Sequence, residues 1–310
     1  MTLQQLQYIV ALDTHRHFVK AADSCFVAQP TLTLQVKKLE EEIGINIFDR
    51  STQPIAPTLM GERFIIKARQ ILREVAGLKE MVNQELNEVK GKFKIGIIPT
   101  IAPYLLPLFL KNFSDDHPDI YLEIKEIQSE EIIAGIQNNT LDIGIMATPL
   151  SESHVREIPL FYEPFLVYAH RDHLLLKKEA ADPANIERKG LWLLDKGHCF
   201  RNQVLNICDE ERHNNTETRI SFESGSIETL KNMIQSHSGF TLIPELAVHP
   251  SYDNDFVKRF KEPQPAREVS LVVHNSFTKE LLLSKLRKYI LKGVPDGFKK
   301  NERFITVKWR

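Results

Sequence analysis

The sequence predicts an α/β fold in three parts, on three observations. Residues 1–60 carry short apolar stripes of helical period separated by turns. A single long stretch from Leu59 to about Val89 then repeats its apolar residues at alternating intervals of three and four. From Phe93 onward, strand-like and helix-like segments alternate, the pattern of open sheets flanked by helices.

The first part opens with Leu3, Leu6, Tyr8-Ile9-Val10 and Leu12, a helical stripe ending near His15. Phe18 to Ser24 is a second, small-residue helix, and Cys25-Phe26-Val27 a turn. A third helix opens at Ala28-Gln29-Pro30-Thr31 and runs through Leu32, Val36 and Leu39 to Gly44. Pro30 suits a first turn, where its missing N–H is no loss. Two short helices joined by a tight turn make a helix-turn-helix arrangement, although a plain three-helix core has the same spacing. Phe48-Asp49-Arg50-Ser51-Thr52 through Ala56-Pro57-Thr58 has the extended, Pro-bearing character of a β-wing. Charge does not single this part out, with five Lys/Arg against six Asp/Glu in residues 1–60. Ala28 to Lys38 nevertheless holds Lys37 and Lys38 and no acid, and Gln29, Thr31, Thr33 and Gln35 are side-chain types that reach bases and phosphates.

In the long helix, Ala68, Ile71, Val75, Leu78 and Val82 form a heptad seam, suited to pairing with a second copy or to packing on the same chain. Asn87 to Lys92 is expected to be a polar linker, with Gly91 ending the helix. Strands are expected at Phe93–Ile98, Tyr121–Ile127, Leu141–Met146, Phe165–Ala169, Leu191–Leu194, Ile220–Phe222, Phe240–Ile243 and Val269–His274. Helices are expected at Pro103–Phe113, Glu130–Gln137 and Thr278–Leu291, and a loop at His213-Asn214-Asn215-Thr216. Phe165 begins a second lobe, and the crevice between two such lobes is a common ligand site.

Composition narrows the class. Of 310 residues, 42% are hydrophobic and 26% charged, with a formal net charge of −1, so no global field calls for a polyanion or a membrane. Three cysteines fit a reducing, cytoplasmic compartment, and no apolar run approaches the roughly 20 residues of a membrane span. Dinucleotide and phosphate loops, a nucleophile elbow and His-Glu-x-x-His are absent, and the 11 histidines form no ligand-spaced set, so neither enzyme, cofactor nor metal is expected.

Two cysteines fall in one segment, Asp195 to Asp209, at positions 199 and 208. His198 and Arg201 flank Cys199, and positive neighbours favour the thiolate. On a helix, nine positions set the two side chains on opposite faces roughly 13 Å apart along the axis, whereas a disulfide needs Cα atoms within about 7 Å. Closure therefore requires a broken helix. The alternative is a pair of inert, buried cysteines.

The run Ala21-Ala22-Asp23-Ser24, Gln29-Pro30-Thr31-Leu32 and Gln35-Val36-Lys37-Lys38-Leu39-Glu40, with Phe48-Asp49-Arg50 as wing, resembles the LysR-type transcriptional regulators. The resemblance spans nearly the whole chain. Ile98 to Pro107, Asp195 to Arg201 with Cys208, Glu228 to Met233 and Gly239 to Pro244 are similar to the family's hydrogen-peroxide sensors. It implies a winged helix-turn-helix DNA-binding domain over 1–58, a linker and dimerisation helix over 59–90, and a redox-sensing α/β regulatory domain of periplasmic-binding-protein type over 91–310. The second lobe would span about 164–267. It implies Cys199 as the peroxidatic and Cys208 as the resolving cysteine, with Thr100, Ser129, His198, Arg201 and Arg267 binding peroxide or activating the thiol. Gln29, Pro30, Thr31, Thr33, Gln35, Lys38 and Arg50 would meet double-stranded operator DNA, in a homodimer or homotetramer, with RNA polymerase a further partner. Two residues depart from the pattern: Ser129 where members commonly carry Thr, and Ala266-Arg267 where they carry two arginines, one cation fewer. A regulator sensing an organic ligand between the lobes, and a thiol peroxidase with an oligomerising N-terminus, are the alternatives.

Overall fold

The computed structural model of the protein describes residues 1–85, 89–208 and 224–310, the side chains of residues 79–85 excepted. It forms two compact units. One is Met1–Val89 with Asn138–Thr140 and Ser276–Glu280, and the other is the remainder from Lys90 to Arg310.

In the first unit, α1 (Leu3–His15) starts at a capping box in which Thr2 and Gln5 each bond the other's backbone N–H. The helices α2 (Phe18–Ser24) and α3 (Gln29–Ile43) follow, Pro30 in the first turn of α3 and Gly44 ending it at φ +72°. The wing is an antiparallel pair, β1 (Phe48–Asp49) and β2 (Ala56–Pro57). Next comes α4 (Leu59–Glu85). Its Gly61 lies against the wing so closely that a Cβ would stand 1.9 Å from the Ile47 carbonyl oxygen. Leu6, Ile9, Leu12, Ala22, Leu32, Val36, Leu39, Ile65 and Ala68 form the core. The heptad seam is therefore split. Ala68 is buried in this core, while Ile71 and Leu78 are 40% and 65% exposed, and the Val82 side chain lies outside the described residues.

The second unit is built on β3 (Gly91–Ile97), α5 (Ala102–Asp116), β4 (Ile120–Glu126), α6 (Ser129–Gln137), β5 (Ile143–Thr148) and β6 (Val155–Ala169). Then come α7 (Cys199–Ile207), α8 (Ile227–Ser236), β7 (Phe240–Pro244), β8 (Val257–Arg259), β9 (Gln264–His274), α9 (Glu280–Gly293) and β10 (Phe304–Thr306). The strand order is β4-β3-β5-β9-β6-β7, with β8 on β6 and β10 on β9. Residues 155–164 of β6 pair with β9, and from Phe165 the same strand pairs with β7 and β8. One strand thus serves both lobes, and the second lobe's core gathers Phe165, Val167, Phe200, Val204, Leu230 and Phe240 around its far half.

Several expectations change. Gly91 does not end a helix: at φ +114° it opens β3, and Lys92 is a strand residue. Among the described residues, Leu191–Leu194 makes single bridges, Leu191 to Phe240 and Leu194 to Ser224. The near half of β6 was hidden by its mixed sequence, Val155-Arg156-Glu157-Ile158-Pro159, which lacks an alternating pattern. The expected strand 220–222 and the loop at His213–Thr216 lie outside the described residues.

Candidate functional site

The exposed face of α3 is the first candidate. Gln29, Pro30, Thr31 and Lys38 are exposed, whereas Thr33 and Gln35 are half-buried. Thr33 Oγ1 donates to the Gln29 carbonyl (2.9 Å), and Gln35 Oε1 accepts from Gln5 Nε2 (3.2 Å). Thr31, Leu34 and Lys38 share a stripe at helical spacing, with Leu34 52% exposed. Leu34 was missed because an apolar residue in an amphipathic helix is assigned by default to the core. In the wing, Arg50 donates to Glu40 Oε2 (2.8 Å), and Glu40 also accepts the N–H groups of Ile47 and Phe48. That places a cation at the wing's edge on a buried carboxylate.

The second candidate surrounds the thiols. At Gly197, φ is +107°, a backbone conformation that favours glycine, where the loop passes the Gln128 side chain beside the start of α6. His198 stands at the N-cap position of α7 without a side-chain cap bond, and Cys199 is the first residue of the helix, 3% exposed. The cysteines are free thiols, held at opposite ends of an intact nine-residue helix.

Among the described residues, Arg267 is the cation that favours the Cys199 thiolate. It is 1% exposed and sits directly across the β6–β9 ladder from Glu163, itself 1% exposed. Arg267 Nε donates to Glu163 Oε2 (2.8 Å), Nη1 to Thr100 Oγ1 (2.8 Å) and Nη2 to the Thr100 carbonyl (2.9 Å). Its guanidinium lies 5.4 Å from the Phe200 ring centroid. The hydroxyl of Thr100 accepts here and keeps its own proton to donate. Thr100 does not cap α5; that position belongs to Ile101, which has no side-chain cap bond. Ser129 Oγ is buried without an aligned hydrogen-bond partner, yet lies near enough to Cys199 to favour its thiolate.

Burial pushes the Cys199 thiol up. Ser129, Arg267 and the helix-start N–H groups of Phe200 and Cys199 pull the other way without cancelling it. The expectation of an ionised thiol set by its sequence neighbours is thus corrected on two counts. The thiol is buried, and the flanking side chains are engaged elsewhere: His198 Nε2 stands 3.0 Å from Asp195 Oδ1, and Arg201 Nη1 donates to the Leu194 carbonyl (2.5 Å). Cys208, also 3% exposed, has its thiol pushed up to about 12 by burial, with Arg188 opposing. The acidic neighbours Asp209-Glu210-Glu211 lie outside the described residues.

Position 266 also reads differently. Ala266 is fully buried and pairs with Pro164 on the face of β9 opposite to Arg267. A side chain there points away from the Arg267 face, so the smaller residue removes no cation from that face. Glu163 escaped notice in the sequence although a signal was present, a lone carboxylate in the otherwise apolar run Phe161 to Ala169.

Residues 3–62 match the bacterial regulatory helix-turn-helix proteins of the lysR family, and residues 86–294 the LysR substrate binding domain. The chain belongs to the LysR family. It is 37% identical over 279 residues, 88% of this chain and 89% of the relative, to the DNA-binding transcriptional dual regulator OxyR of Escherichia coli. Over 275 residues it is 36% identical to the hydrogen peroxide-inducible genes activator of Haemophilus influenzae, covering 88% of this chain and 90% of that one. Its fold is similar to full-length OxyR of Pseudomonas aeruginosa bearing a cysteine-to-aspartate change, with a TM-score of 0.79, 35% identity and 94% of each chain covered. Among the described residues no helix is long and apolar enough to cross a membrane.

Proposed function

We propose that the protein is a peroxide-responsive, DNA-binding transcription regulator switched by a reversible disulfide between Cys199 and Cys208. The observation that carries this reading is the setting of Cys199: a buried thiol at a helix start, with Arg267 acting on it and Thr100 and Ser129 offering uncommitted hydroxyl protons. Hydrogen peroxide enters between these hydroxyls. Cys199 gives up its proton and attacks one peroxide oxygen, Arg267 and the α7 N–H groups stabilising the thiolate, and the O–O bond breaks to leave a sulfenic acid and water. The Cys208 thiol then attacks the Cys199 sulfur, forming the disulfide and releasing a second water. The nine-residue helix between them must open for this. His198 and Arg201 brace the loop that leads into α7.

DNA is met by α3 through Gln29, Pro30, Thr31, Leu34, Gln35 and Lys38, with Thr33 supporting the helix start and Arg50 on the wing. The exposed Ile71 and Leu78 of α4 pair copies into a homodimer, or a homotetramer through a further contact, so that two α3 helices read one operator. The protein acts with RNA polymerase in the cytoplasm and turns over no substrate. DNA-protection patterns of the reduced and peroxide-treated protein test the reading. The two states should protect different lengths of operator, and identical footprints at equal affinity would overturn it.

A further inference from the structure

Residues 307–309 are stitched to the helix that carries both thiols. Strand β10 lies parallel to residues 264–266 of β9, and Val307 N–H donates to the Ala266 carbonyl (2.8 Å). Beyond it, three side chains of α7 take hold of successive backbone carbonyls. Gln203 Nε2 donates to Val307 (2.8 Å), Asn206 Nδ2 to Lys308 (2.8 Å) and Asn202 Nδ2 to Trp309 (3.1 Å). Positions 202, 203 and 206 lie on one helical face, so one straight segment of chain can serve all three. The segment is fixed at its other side too. Trp309, 6% exposed, donates its indole N–H to the Ala147 carbonyl (3.3 Å), and the Arg310 guanidinium pairs with Glu130 (2.6 Å) and Glu152 (2.5 Å).

These bonds exist only while α7 is helical. Its axial rise separates Cys199 and Cys208 by roughly 13 Å, and a disulfide requires Cα atoms within about 7 Å. Residues 202–206 are the middle of the stretch that must unwind, and once they do, the three amides no longer line up on the segment. We propose that residues 307–310 are a strap that holds α7 helical in the thiol state and thereby sets how readily the disulfide closes and how readily it is reduced again. The strap leaves the first chemical step alone, because none of its bonds involves Arg267, Thr100 or Ser129 side chains. The inference rests on the reading that Cys199 and Cys208 form the redox couple, with hydrogen peroxide as oxidant and a dithiol or glutathione as reductant.

The test uses the full-length protein and the double variant Asn202→Ser with Asn206→Ser. Both asparagines are exposed, so the fold tolerates the change. Serine has about the helix propensity of asparagine but is too short to reach the strap, which avoids the stabilisation that alanine would bring to α7. A second protein lacking residues 307–310 gives the same answer by another route. Sulfenic acid formation at Cys199 is followed by trapping, disulfide closure by rapid quenching and mass, and the thiol–disulfide balance in glutathione buffers. Sulfenic acid formation should match the parent, while closure becomes about tenfold faster and the balance moves about tenfold toward the disulfide, as loss of two ordinary hydrogen bonds requires. Closure and balance at parental values in both variants would show that the segment only packs. A parent that forms no Cys199–Cys208 disulfide overturns the redox reading and the strap with it, whereas a parent that does so beside unaffected variants overturns the strap alone.

Discussion

Cys199→Ser leaves Cys208 alone beside α7, and the structure says how reactive that thiol can be. Burial pushes its pKa up to about 12. At pH 7 such a thiol is ionised in one molecule in about 100,000, against one in about 30 for an ordinary thiol near 8.5. The thiolate is the nucleophile, so Cys208 in this variant should react with peroxide about three orders of magnitude more slowly than an unhindered cysteine. Cys208→Ser should behave differently, because Cys199 keeps Arg267, the Ser129 hydroxyl and the helix-start N–H groups on the side of its thiolate. It should form sulfenic acid, fail to lock the disulfide and over-oxidise more readily. Trapping the sulfenic acid and weighing the labelled peptides separates these two sites from the half-buried Cys25. In Cys199→Ser, alkylation of Cys208 should climb about tenfold per pH unit from neutrality toward pH 12. The stability sign agrees. With the folded pKa raised, the unfolded chain ionises first, so the contribution is whole below about pH 8.5 and is lost as pH rises toward 12. Sulfenic acid appearing first at Cys208, or a Cys208 alkylation profile that levels off near pH 9, would refute the reasoning.

Thr100→Val keeps the shape but leaves Arg267 Nη1 without its hydroxyl acceptor, costing about 1–3 kcal/mol in thermal or urea unfolding. Oxidation of Cys199 should slow by more than that loss explains, and an unchanged oxidation rate with a lower Tm would leave the hydroxyl a purely structural part. Glu163→Gln retains an acceptor for Arg267 but removes its buried counter-charge. The titration midpoint of Cys199, followed by alkylation against pH, should fall and its peroxide reaction at neutral pH should quicken; an unmoved midpoint counts against Arg267 as the governing cation. For DNA, Lys38→Ala should weaken binding evenly across sequences and lower the salt slope by about 1, while Thr31→Ala should cost about 1–3 kcal/mol at one base position. Gel-shift titrations over a salt series on operator and scrambled duplexes tell the two apart.

Much of the architecture is written locally. Thr2 with Gln5, Pro30 in a first turn and Gly44 in the left-handed region bound helices through the few residues on either side. Ile95 and Ile97 alternate into the core of β3, so their strand could be recognised before any partner was known. The two cysteines on one short segment, and the helix that would have to break between them, were equally visible. The surroundings of the thiol were not legible locally, however, because His198 and Arg201 turn to Asp195 and Leu194. The cation that acts on Cys199 comes from β9, held there by a carboxylate 104 positions earlier in the chain. Nor could any window of sequence foretell that residues 307–309 would lie along α7. Caps, turns and periodicities are decided by steric and hydrogen-bonding terms that reach a few residues. Burial and buried charge pairs depend on which distant strands share a ladder, and only the folded chain decides that.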